Sequence, residues 1–379
     1  MNKKNSIYYK SMTILFILFL LIMVLLNGVR SEKLFSETEN RRLEQRPDFS
    51  IKALMNGKFT SDFEKYISDQ FVFRDFWIEI NSKIILYSGK NQNNDVFLGK
   101  TGYLIQKFNT PDKGEFTERL EAINAFADKI PEVNKYFMVV PNSVKVLQEK
   151  LPYLAPGDDE LYYIDEVKKK IDSDINFIDV YEKLSSKKNE YIYYKTDHHW
   201  TTKGAYYAYQ KLMESVGTTY HDNNYFDIKN VTDSFYGSLY SKSGFRNIKP
   251  DSIELYIPKV DEGIKVDYLD NEKSEKSLYT MDNLNKKDKY TVFLNGNHPL
   301  IKISTNNKNG KKLLLIKDSY ANSFVPFLTG HYSEIYLVDL RYYNDDITKI
   351  IKSNDIDDIL FLYNAITFFE DLSIKNLIQ

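Results

Sequence analysis

The sequence predicts an α/β protein: a parallel sheet with flanking helices and a small β-rich insertion, behind an N-terminal transmembrane helix. Three observations predict it. Residues 11–29 carry no charge and have a nearly unbroken apolar centre from Ile14 to Leu26. Short apolar runs recur, KYFMVV at 135–140, KKLLLI at 311–316, SEIYLVDL at 333–340 and DDILFLY at 357–363, with helical patterns between them. Strand-length runs that alternate with helices indicate parallel α/β organisation. Between 221 and 290 the helical periodicity fades and Asp, Asn, Lys, Ser and Tyr dominate.

Each element follows in chain order. Lys3, Lys4 and Lys10 precede the apolar run. A helix rises about 1.5 Å per residue, so residues 11–29 reach about 28 Å, enough for the hydrocarbon core of a bilayer. The run ends Leu25-Leu26-Asn27-Gly28-Val29-Arg30, without the small-x-small box of a cleaved signal peptide. It therefore reads as an uncleaved signal anchor. Arg30, Lys33, Arg41 and Arg42 follow it, so the balance of basic residues does not fix the orientation. A basic segment before a first span usually stays in the cytoplasm, which places the rest of the chain outside.

Residues 30–58 read as a polar tether and 59–379 as the main domain, with 221–290 as an insertion. Phe59 to Tyr87 has apolar residues at helical spacing. Val96 to Leu104 reads as a hairpin around a glycine turn. Thr117 to Ile130 reads as a helix closed by Pro131, followed by the strand Lys135–Val140. A helix over Glu160–Ser173 and a strand over Asn176–Val180 complete the first strand–helix–strand unit.

Composition excludes several function classes. Lys and Arg number 51 against 53 Asp and Glu, so no basic excess points to nucleic acid. The absence of cysteine removes disulfides, thiolate metal sites and a cysteine nucleophile. With only 5 histidines, imidazole chemistry has few homes. The 30 tyrosines fill cores or, where exposed, stack on sugars; YIYY at 191–194 and Arg341-Tyr342-Tyr343 are open to either use.

Two segments can carry chemistry. The first is Tyr194-Lys195-Thr196-Asp197-His198-His199-Trp200, a loop ahead of a helix marked by Ala205, Tyr209, Leu212 and Val216 and closed by Gly217. A carboxylate beside an imidazole can fix its tautomer and stabilise its protonated form. Adjacent histidines in one loop rarely reach the same ion, so Asp197, His198 and His199 are not read as a metal site. The second segment is Leu313 to Ser323, where a buried strand runs into Asp318-Ser319 and then a helix. That geometry presents a serine at the sheet edge, with backbone N–H groups near an oxyanion. The alternative use of Ser319 is as a helix cap. Asn364, at the end of the last strand, and Asn297, in the loop Asn295-Gly296-Asn297-His298, are candidate oxyanion donors, with turn formation as their plainer role.

At these residues the chain resembles the DHHW family of bacterial proteins. TDHHW at 196–200 and IKDSYANSFVPFL at 316–328 carry the resemblance, supported by SETENRRL at 36–43 and DQFVFRD at 69–75. That family is similar to the SGNH-hydrolase-like acetyltransferases of exported polysaccharides, the alginate proteins among them. The resemblance implies an SGNH-like fold and a triad of Ser319 as nucleophile, His199 as base and Asp197 as orienter, with His198 outside it. Backbone N–H groups of Ser319 and Tyr320 would complete the oxyanion hole. Lys317 stands where ordinary SGNH enzymes carry glycine.

The expected function is extracytoplasmic O-acetyl transfer to exported polysaccharide through an acetyl-serine, without a cofactor. The resemblance implies a membrane-bound O-acyltransferase partner as acetyl relay. The alternatives are a carbohydrate acetylesterase and an inactive glycan-binding or assembly protein.

Overall fold

The protein is described from a computed structural model covering residues 3–36, 38, 39 and 41–378. Glu37 and Asn40 of the 36–43 segment lie outside the described residues. The first helix, α1, spans Lys3–Val29. Within it Ile7–Val29 is long and apolar enough to cross a membrane, and none of it is buried. This is compatible with a single-pass anchor or a signal sequence.

The chain divides into two compact units, and α1 belongs to the first. The first runs to Lys90 and includes Gly244–Arg246; the second holds Asn91–Ser243 and everything from Asn247 onward.

In the first unit the helix expected over Phe59–Tyr87 is two helices, α2 (Lys58–Asp69) and α3 (Arg74–Tyr87). The break is at Phe73, whose φ of 56° is left-handed and cannot continue a right-handed helix. The expected tether is pinned to these helices. Arg41 donates to both carboxylate oxygens of Asp69, at 2.7 and 2.5 Å, and Arg74 pairs with Glu39. The Arg41 hydrogen bond holds the Asp69 carboxyl below its ordinary value even though burial opposes it. Two segments that resemble family features, 36–43 and 69–75, are thus joined by ion pairs. Only Asp69 and Ser82 are buried in α2 and α3. These helices add no apolar core, and the second compact unit begins at Asn91 rather than at 59.

The second unit is built on an eight-stranded mixed sheet. Its strands are β1 (Asn134–Val140), β2 (Ile175–Phe177), β3 (Lys265–Tyr268), β4 (Lys273–Glu275), β5 (Leu300–Ser304), β6 (Lys311–Lys317), β7 (Tyr332–Val338) and β8 (Asp358–Asn364). The order across the sheet is β4-β3-β5-β7-β6-β8-β1-β2. From β7 to β2 all neighbours are parallel; β5, β3 and β4 extend the sheet antiparallel. The expected insertion is therefore divided. Phe226–Phe235 and Asp251–Pro258 form a separate antiparallel ribbon, while β3 and β4 belong to the main sheet.

The continuous apolar runs have a direct reason. Successive side chains of a strand point to opposite faces. Leu313 and Leu315 of β6 enter one core cluster, and Leu314 and Ile316 enter the other. Met138 and Val140 of β1 likewise oppose Phe137 and Val139. Both faces are covered, so neither tolerates polar alternation.

Helices flank this sheet. Asp112 caps α4 (Lys113–Asp128) by accepting from Glu115 N–H, and Asp159 caps α5 (Glu160–Lys170) by accepting from Leu161 N–H. Thr201 caps α6 (Thr202–Ser215), accepting from Gly204 N–H. Gly204 is required there, because a Cβ would meet Ile192 O at 2.3 Å. Since β6, β8 and β1 are parallel, Lys317, Asn364 and Val140 end them at one edge. The candidate site is assembled on that edge.

Candidate active site

The chain leaves β6 at Asp318, turns, and enters a 3-10 turn over Ser319–Ser323. A second 3-10 turn, Val325–Phe327, follows, where an α-helix was expected. Pro326 lies in it and supplies no N–H for a longer helix. Asp318, not Ser319, is the cap: its carboxylate accepts from Tyr320 N–H at 2.8 Å. Ser319 is half-buried while its neighbours are buried.

The Asp197–His199 loop closes over this turn. Tyr193 and Trp200 pair across it, and Thr201 N–H donates to Ile192 O. Trp200 Nε1 donates to Tyr320 O at 3.0 Å, and Tyr320 OH donates to the His198 carbonyl at 2.5 Å. Tyr320 thereby ties the loop to the serine turn from both ends of its residue.

The three expected triad residues, 120 positions apart in part, come together. His199 Nε2 lies 2.8 Å from Ser319 Oγ, and His199 Nδ1 lies 2.5 Å from Asp197 Oδ1. Asp197 Oδ1 also accepts from His199 N–H at 3.0 Å, and Oδ2 accepts from Ser238 N–H at 2.7 Å. Burial pushes the Asp197 carboxyl up, but the neighbouring histidine charges and these donors outweigh it and hold it well below the carboxylate range. Gly237 makes the contact possible, since a Cβ there would meet Asp197 at 2.2 Å.

His198 turns its imidazole to Ser238, with Nδ1 2.7 Å from Ser238 Oγ and 3.6 Å from Asp197 Oδ1. Burial, then the His199 charge, push its imidazole down. One ligand atom each of Asp197, His198 and His199 lies within 4.8 Å of the others. Those of Asp197 and His199 already bond each other, and His198 bonds Ser238, so the cluster is occupied by its own contacts.

The oxyanion expectations need correction at two residues. Tyr320 N–H is spent on Asp318. Asn364 donates its side-chain nitrogen to Asp318 Oδ2 at 2.5 Å and Thr367 Oγ1 at 2.7 Å, and its oxygen accepts from Asn142 and from Thr367 N–H. Asn364 is a buried cap and bracket for Asp318, with no donor left to offer. Asn297 is exposed; its oxygen accepts from Lys317 Nζ at 3.2 Å and Asn322 Nδ2 at 3.1 Å, which turns its nitrogen away from both. The Ser319 N–H occupies the first position of its turn, where no intrahelical acceptor exists.

Lys317 is a buried pin. Its Nζ donates to Asn322 Oδ1 at 2.9 Å and lies 3.6 Å from Asp339, which the Arg341 guanidinium also holds through two bonds. Burial pushes the Lys317 ammonium down while Asp339 opposes the shift.

Several residues of the site escaped the sequence. The Tyr290 ring stacks on His199, and its hydroxyl bonds Ser319 O and Ser323 Oγ, at 3.0 and 3.1 Å. Asn142, after β1, donates to Tyr320 OH and Asn364 Oδ1. Its N–H is held by buried Glu160 at 2.6 Å. No local pattern marks Tyr290, Gly237 or Ser238, because their roles arise from distant packing. Of the aromatic runs, Tyr193 and Tyr194 are buried in the core, whereas Tyr342 is exposed.

The DHHW protein family matches residues 117–338, a span that contains both the loop and the serine turn. The chain belongs to the DHHW family. A DHHW family protein from Eubacterium siraeum superposes with a TM-score of 0.65 at 26% identity, over 75% of this chain and 95% of that one. PatB1 of Bacillus cereus, seen with a sulfonyl adduct, superposes with a TM-score of 0.61 at 22% identity, over 73% of this chain and 98% of its own. The O-acetyltransferase domain of Pseudomonas putida AlgJ gives a TM-score of 0.46 at 15% identity, over 72% and 92%. No curated protein matches the sequence. The DHHW resemblance and the α/β fold expected from it are thus borne out.

Proposed function

We propose that this DHHW protein is a membrane-tethered O-acetyltransferase that moves acetyl groups onto an exported polysaccharide, with Ser319 as nucleophile, His199 as base and Asp197 as orienter. The observation that carries the reading is the unbroken hydrogen-bonded chain from Ser319 Oγ through His199 to Asp197. A serine hydroxyl becomes a useful nucleophile when an adjacent base takes its proton and a third group fixes that base.

In the first half-reaction His199 Nε2 takes the Ser319 proton as Oγ attacks the acetyl carbonyl carbon. The Ser319 N–H and the Asn297 amide are the donors we assign to the oxyanion. The tetrahedral species collapses, the donor's oxygen leaves with the proton from His199, and acetyl-Ser319 remains. In the second half a sugar hydroxyl gives its proton to His199 and attacks the acetyl carbon. Ser319 Oγ then leaves and recovers the proton. Asp197 stays ionised throughout and stabilises the imidazolium.

The apolar helix α1 supports tethering to a membrane, and the reading places the second unit outside the cytoplasm. On that side acetyl groups would come from a membrane-bound O-acyltransferase partner. The test uses the full-length protein in detergent micelles with a chromogenic acetyl ester and an oligosaccharide acceptor. The reading expects faster release with acceptor and an acetylated oligosaccharide by mass spectrometry. Acetate as the sole product, at a rate indifferent to acceptor, would make the protein an esterase.

A further inference from the structure

Apart from the serine turn, the second unit has a polar cleft of about 390 Å³ lined by Tyr103, Lys150, Glu190, Tyr191, Lys195 and Asp251. Two ammonium groups meet there on one ring. Lys150 Nζ lies 4.3 Å and Lys195 Nζ 5.7 Å from the Tyr103 centroid. The negative face of an aromatic ring holds a cation without neutralising it.

The carboxylates of the cleft are already engaged. Asp251 accepts from Tyr191 OH at 2.5 Å, from Lys195 and Thr196 N–H at 2.8 and 2.7 Å, and from Thr196 Oγ1 at 2.5 Å. Glu190 accepts from Tyr207 OH at 2.7 Å and pairs with Lys203 and Lys187 at 3.0 and 3.2 Å. Among the described residues neither Lys150 nor Lys195 forms an ion pair. The cleft therefore offers two uncommitted positive charges beside the polar side chains of Thr101, Asn189 and Ser252. An anionic group with hydroxyls around it, which is an acidic sugar, matches that lining. The floor is also the stem of the catalytic loop, because Asp251 grips the two residues that precede Asp197.

We propose that this cleft is a second subsite for the acceptor and takes the anionic group of an acidic sugar residue in the polysaccharide chain. The proposal rests on the polysaccharide reading above. Its test is independent of turnover: binding of tetragalacturonate to the full-length Ser319→Ala protein in neutral detergent micelles, by calorimetry. The expected result is binding that weakens with salt and falls about tenfold in Lys150→Gln/Lys195→Gln, the loss of a charge-assisted contact. Lys150→Arg/Lys195→Arg keeps the affinity, and melting temperature verifies folding of each variant. Neutral maltotetraose is expected to show no lysine-dependent binding. No binding of tetragalacturonate, or equal affinity in the glutamine variant, overturns the proposal. So does inorganic phosphate that binds as tightly as the tetrasaccharide, since the site would then take a bare anion. Failure here leaves the serine chemistry standing, and absence of an acetyl adduct on Ser319 in the wild-type protein would leave this binding result standing.

Discussion

The Tyr290 ring lies flat on the His199 imidazole, with centroids 3.8 Å apart and planes 11° from parallel. Its hydroxyl reaches past the imidazole to Ser319 O and Ser323 Oγ. One side chain thus sets the plane of the His199 imidazole and the position of the Ser319 backbone.

This relationship separates two substitutions. Tyr290→Ala removes the stack and lets the imidazole tilt, and a catalytic group displaced by about 1 Å costs on the order of 10²-fold in rate. Tyr290→Phe keeps the stack and loses hydroxyl contacts worth about 1 kcal/mol of stability. Turnover of an acetyl ester, read beside thermal melting, is expected to fall steeply in the first and modestly in the second.

The two candidate asparagines are expected to part in the same way. Asn297→Ala removes a proposed oxyanion donor and lowers kcat by about 10²-fold with little change in melting. Asn364→Ala strips two donors from the buried bracket around Asp318 and Thr367 and costs roughly 1–3 kcal/mol of stability. Equal melting losses in both, with equal rates, would contradict the assignment.

Asp197 gives a pH prediction. Its folded-state pKa is depressed, so the stability it contributes is complete above the ordinary carboxylate value and is lost as pH falls through the folded one. Asp197→Asn is expected to remove that acid dependence from denaturation curves. On the proposed mechanism the tautomer of His199 is then no longer fixed, and kcat is expected to fall by about 10⁴-fold.

Glu160 predicts the opposite slope. It is buried, its Oε2 has no partner among the described residues, and burial pushes it from 4.5 to about 8 against the Asn142 N–H bond. The folded state then holds a proton that the unfolded state has released, so stability falls as pH rises between those values. Glu160→Gln is expected to flatten that decline, measured as denaturation midpoint at pH 5 and pH 8, near the low end and at the high end of the window.

Much of the sheet was legible because its central strands are buried on both faces. The runs at 135–140, 311–316 and 357–363 fall within one residue of β1, β6 and β8, since no polar alternation blurs them. Ser319, His199 and Asp197 were legible because strand-end and loop chemistry stand out against so few histidines. The donors around them were not. Asp318 takes Tyr320 N–H and the Asn364 amide, and capping of this kind competes for N–H groups without leaving a sequence pattern. β3 was hidden in a polar stretch because only its register against β5 makes it part of the sheet. The break at Phe73 went unseen because it carries neither glycine nor proline.

The most direct test of the central claim is intact mass after a brief exposure of the full-length protein to the chromogenic acetyl ester. The account predicts the mass gain of one acetyl group, mapped to Ser319, absent in Ser319→Ala and much slower to form in His199→Ala. Ester cleavage that persists in Ser319→Ala, or an acetyl group mapped to another residue, would contradict it.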